Sequence, residues 1–107
     1  MQAGAIGRQA GAMADPLRVV TAIESFERWS APWTFFDTVH ATPQLTAEDR
    51  LLLQQVWSVA CDAERWTSSP ALDAGAAATE SALTTRFAWL PPPACRQLAR
   101  AASYAWR

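Results

Sequence analysis

The chain has no lysine: all nine of its basic residues are arginine, against ten acids. Its formal net charge is therefore −1, which disfavours a general nucleic-acid binder, because such proteins need surplus cations to neutralise phosphates. Histidine occurs once, as His40, and the two cysteines, Cys61 and Cys95, are far apart with no CxxC partner. That excludes a disulfide framework and any cysteine-based zinc site. Only one glycine, Gly75, follows residue 11, and no GxGxxG, GxxxxGK(S/T), HExxH, GxSxG or EF-hand pattern occurs. The backbone cradles and metal-binding helices of the commonest cofactor enzymes are thus missing, so no cofactor and no metal is expected. No run nears the ~20 apolar residues of a membrane span. The first residues carry Arg8 but no apolar segment of the kind that directs export. The expectation is a cytoplasmic protein with no membrane contact and two buried free thiols.

What the chain does have is apolar bulk. Half of its 107 residues are hydrophobic and six are tryptophan. Each indole can bury on the order of 200 Å², so a single domain can form a core without a disulfide or a metal. Charge is unevenly spread. Residues 81–107 hold Arg86, Arg96, Arg100 and Arg107 with no acid, a local +4, whereas residues 12–80 hold ten acids against four arginines, a local −6. The two regions are suited to different partners, or to each other.

The periodicity is helical throughout, and the fold class read from it is all-α: a compact bundle of about four helices over residues 15–107, preceded by a flexible arm at 1–14. Asp15 followed by Pro16 is a strong helix opening, and Leu17, Val20, Ile23 and Phe26 recur behind it, predicting a first helix over 16–30 that Pro32 stops. Thr46 with Asp49 three residues on makes a short capping box for a second helix over 47–66, carried by Leu52, Leu53, Val56, Val59 and Ala60. Ser69 and Pro70 open a third over 70–88, in which Gly75 among alanines allows close approach of a neighbour. The three prolines after Leu90 force a bend, and a fourth helix follows over 93–106. The only strand signal, a marginal one, is in WTFFDTV, residues 33–39.

Between the first two helices lies a sixteen-residue connection, residues 30–45, whose aromatic part is the stretch WSAPWTFFDTVH, residues 29–40. Long connections of this kind are either functional or pinned by their own side chains. The rings are thus either a plug for the core or a binding surface; Phe35 or Phe36 suits an anchor and Trp33 suits exposure. Candidate binding residues are Trp33, Phe35, Phe36 and His40. A second candidate is a basic face on the last helix, where Arg96, Arg100 and Arg107 lie on one side.

Catalytic constellations are thin. His40 and Asp37 are the one base and acid near each other, with no nucleophile placed beside them. Asp62 and Glu64 point to different sides of a helix. Catalytic residues are therefore read as none. Three functions compete. The first is a small non-enzymatic interaction module, of the immunity, antitoxin, phage-accessory or adaptor kind, that binds a protein partner through its aromatic and charged surface. The second is a DNA-binding regulator using the Arg-rich final helix, weakened by a linker of three prolines in place of a short turn and by the near absence of base-reading Asn or Gln. The third is a small-molecule binder with a pocket lined by Trp33, Phe36, Trp57 and His40. Homodimerisation through an Ala-rich helix face is open.

Overall fold

The computed structural model describes residues 13–62, Trp66 and 72–105. The arm expected at 1–14 falls almost wholly outside them, as does Arg107. Among the described residues there are five α-helices, one 3-10 turn and no strand: α1 Pro16–Glu24, the 3-10 turn Pro32–Thr34, α2 Phe35–His40, α3 Ala47–Ala60, α4 Leu72–Arg86 and α5 Pro92–Ala105. None of these helices is long and apolar enough to cross a membrane.

Helix α1 begins where its sequence dictates. Asp15 is the N-cap, its carboxylate accepting from the Leu17 N–H at 3.0 Å, with Pro16 in the first turn. The helix ends at Glu24, six residues short of the expected boundary. At that point the backbone N–H and the hydroxyl of Ser25 both donate to the Thr21 carbonyl, at 3.0 and 2.6 Å. Such short side chains offer the backbone an alternative to helix propagation. The chain then turns, and Phe26 enters the core with its carbonyl accepting from Gln97 on α5 at 3.4 Å. Burial falls on Val19, Val20, Ala22 and Ile23, while Leu17, which the apolar spacing assigns to the buried stripe, is 70% exposed.

The expected loop is largely helical. Pro32 opens the 3-10 turn, the Thr34 hydroxyl bonds the Ala31 carbonyl at 2.7 Å, and α2 follows directly. Phe35 and Val39, four residues apart, face the core; Phe36 and His40 form the next stripe. This helical spacing overrides the marginal strand signal. Arg50 of α3 closes the C-terminal end, donating to the His40 and Thr42 carbonyls at 2.7 and 3.1 Å.

Helix α3 carries the complete capping box, Thr46 to Asp49 and back, and buries Asp49, Leu53, Val56 and Ala60 at spacings of four, three and four. It stops at Ala60 rather than residue 66. The Trp66 indole N–H folds back to bond the Ala60 carbonyl at 2.7 Å and its ring lies over Gly75 of α4. The close approach expected at Gly75 is made by an indole instead of a helix. Helix α4 runs to Arg86, and α5 begins at Pro92, one proline earlier than the spacing suggested, since a missing N–H costs nothing in a first turn. The α4–α5 pair is the most extensive helix contact. Helix α5 buries Ala94, Cys95, Leu98, Ala99, Ala101 and Ala102, and the four alanines among them let neighbouring backbones come close.

Candidate interaction surface

The rings of residues 26–36 divide into two sets. Phe35, read both as a candidate anchor and as a candidate binding residue, is 1% exposed and belongs to the core cluster, so it serves as the anchor and has no place on the binding surface. The cause is register: Phe35 and Val39 share the inward stripe of α2, with Phe35 making edge contact with Phe26 at 5.0 Å and stacking on Trp57 at 5.6 Å. Trp33, two positions earlier on the 3-10 turn, is 75% exposed.

Stacking runs across the molecule as a continuous series. The Arg100 guanidinium of α5 lies 4.0 Å from the Trp29 ring centroid. Trp29 stacks on Phe35 at 6.0 Å, Trp57 stacks on both Phe35 and Phe36, and Phe36 lies 5.2 Å from His40. Trp29, Phe36, Trp57 and His40 are each half-buried.

Two open grooves lie elsewhere, on either side of Leu17. One, about 520 Å³, runs between α1 and the Thr42–Gln44 segment; the other, about 630 Å³, runs between Val20 of α1 and Trp89–Pro92. Sequence reasoning did not point to either, because it placed Leu17 in the core. Leu51, 58% exposed on α3, and Met13, 70% exposed, are the other large exposed apolar side chains among the described residues.

His40 places its Nε2 3.5 Å from the Gln54 amide nitrogen, and Asp37 is exposed to solvent. Burial pushes the Cys61 thiol up to about 11 and raises Cys95 as well, the latter against a hydrogen bond from Thr84 that acts in the opposite sense. Both sulfurs are therefore protonated thiols at neutral pH, poor as nucleophiles. No group of three potential metal-ligating side chains occurs among the described residues.

The basic face is partly occupied. Arg96 and Arg100, one turn apart on α5, are exposed and make no ion pair among the described residues, but Arg100 is held by Trp29. Gln97, the one Asn or Gln side chain of that helix, is engaged on the Phe26 carbonyl. The 3-10 turn that carries Trp33 packs against this same helix.

The most strongly built polar group is one that the sequence presents only as a cap. Asp49 is 0% exposed and accepts from the N–H groups of Asp15 (2.7 Å) and Thr46 (2.9 Å) and from Arg18 Nε (2.6 Å) and Nη2 (3.4 Å). Burial acts to raise its pKa, but the bonds from Arg18, Asp15 and Thr46 outweigh that and hold it at about 2. Every partner of this carboxylate is internal, so it organises the fold that presents the surface and takes no part in the surface itself. No protein-family model matches the chain, and neither a curated protein nor a solved structure is significantly similar to it.

Proposed function

We propose that the chain acts by contact, as a small non-enzymatic interaction module whose protein-binding face is centred on Trp33. The observation that carries this reading is an indole 75% exposed on a turn that is itself fixed. Pro32 beside it is buried, Thr34 is bonded to Ala31, and Phe35 is locked in the core. A large apolar side chain on rigid backbone loses little conformational freedom on binding, and Trp is among the residues enriched at the energetic centres of interfaces. Burial raises the pKa of both thiols, which disfavours the thiolate forms that would act as nucleophiles.

The test is site-specific photo-crosslinking in the source cell, with a benzophenone side chain at position 33 and a control at exposed Leu51, followed by affinity capture with unmodified chain and with Trp33→Ala. A discrete adduct from position 33 that is absent from position 51, and a loss of capture of about tenfold in Trp33→Ala, are expected. Capture undiminished by Trp33→Ala would overturn the assignment of this face. Because Trp33 contributes little to the core, its replacement should leave the thermal midpoint within about 2 °C.

A further inference from the structure

Resting on that reading, we infer that the partner presents carboxylates beside its apolar contact, and that the Arg100–Trp29 stack with Arg96 is the element that reads them. The Arg100 guanidinium carbon lies 4.0 Å from the Trp29 ring centroid, yet Arg100 is exposed to solvent. A guanidinium carries a planar fork of N–H donors that matches a carboxylate with two parallel bonds. An arginine already held in place gives up less side-chain freedom on binding than one free in solvent. Arg96, four residues earlier on the same helix face, adds a second cation without an internal counter-ion among the described residues. The turn bearing exposed Trp33 packs on this helix, so apolar anchor and cations are carried on adjoining elements.

Charge distribution supports the same partner. Residues 81–107 contain no acid, so nothing on α5 competes for these arginines. Phosphate would fit one guanidinium equally well, and a nucleic acid is the rival. Three observations favour carboxylates on a protein. Residues 12–80 carry a local −6, which repels a polyanion more strongly the further it extends beyond α5. Gln97 is engaged on the Phe26 carbonyl and is not available to read a base edge. A large exposed indole is most useful against an apolar surface, which a protein offers beside its carboxylates.

The probes are two labelled helical peptides with leucine at every fourth position, one with glutamate between and one with lysine, and a single-stranded oligonucleotide of the same charge as the glutamate peptide. Binding to the full chain is followed by fluorescence anisotropy at about 20 and 200 mM salt. The glutamate peptide is expected to bind at least about tenfold more tightly than either other probe. Arg100→Glu should remove about tenfold of that affinity, and Arg100→Lys, which keeps the charge but loses the planar fork, several-fold. Far-ultraviolet circular dichroism of each variant confirms that α5 is intact. Equal binding of the two peptides, an Arg100→Glu variant that binds as the parent does, or an oligonucleotide that binds more tightly than the glutamate peptide each overturns the inference. The last outcome points to nucleic acid instead. If position 33 crosslinks a partner whose capture is unaffected by Arg100→Glu, the interaction module survives and only the acidic partner is lost.

Discussion

Where α1 meets α3, one buried carboxylate receives four hydrogen bonds; along α4 the buried positions among the described residues are Gly75, Thr79 and Leu83, and the Thr79 hydroxyl has no hydrogen-bond partner among them. The first junction is directional. Asp49 fixes the start of its own helix through Thr46, the start of α1 through the Asp15 N–H, and the α1 flank through Arg18, across 34 residues of sequence. The α4–α5 pair depends instead on small side chains and close approach, which are indifferent to direction but intolerant of added volume. A polar contact made complete specifies a geometry, whereas an apolar one made tight limits what can be inserted.

The largest effect expected from breaking this contrast is at Asp49. Asp49→Ala leaves Arg18 without its main partner and two N–H groups unbonded. It should cost about 3 kcal/mol in chemical denaturation, at the lower end for a buried ion pair because Arg18 is 39% exposed. For a domain of this size that corresponds to a fall of roughly 15 °C in the thermal midpoint. The pH dependence gives an independent readout. With its pKa held at about 2, below its ordinary 3.8, the carboxylate contributes stability that is complete above the higher value and is lost as pH falls through the lower. Asp49→Asn should flatten that acid limb of the stability curve, and an unchanged limb would show that other carboxylates carry it.

Gly75→Ala comes next. Alanine gains about 1 kcal/mol of helix propensity, but its Cβ would lie 2.7 Å from Trp66 Cε3. The ring cannot slide away freely while its N–H is bonded to Ala60. Overpacking at this scale costs about 1–3 kcal/mol, so a net loss of about 1 kcal/mol is expected, and a gain would mean that the indole relaxes easily. Thr79→Val is expected to have the opposite sign. Removing a buried hydroxyl that bonds nothing should stabilise by about 1 kcal/mol in the same denaturation assay. A loss instead would reveal a partner for Thr79.

These contrasts also show what the residues disclosed in advance. Asp15–Pro16 and Thr46 with Asp49 marked two helix starts correctly, because caps are local chemistry that depends on a few consecutive side chains. The all-helical class followed from spacing. The end of α1 was not legible, since the decision between continuing the helix and turning at Ser25 rests on Phe26 finding Trp29 and Phe35 in space. Within the aromatic stretch, spacing of four between Phe35 and Val39 was available as a signal for α2. Four rings and a proline within twelve residues hid it behind the expectation of a loop. Trp33 was separable from Phe35 only in part, because their burial depends on which side of the turn faces α5. The second task of Asp49 was invisible, as nothing local announces a bond to residues 31 and 34 positions away.

Because α1 and α3 both begin at one carboxylate, neither can creep along the other by a fraction of a turn. A shift of even one residue would strand Arg18 and the Asp15 amide together, so separation of the two helices is a single unclasping event with no graded intermediate positions.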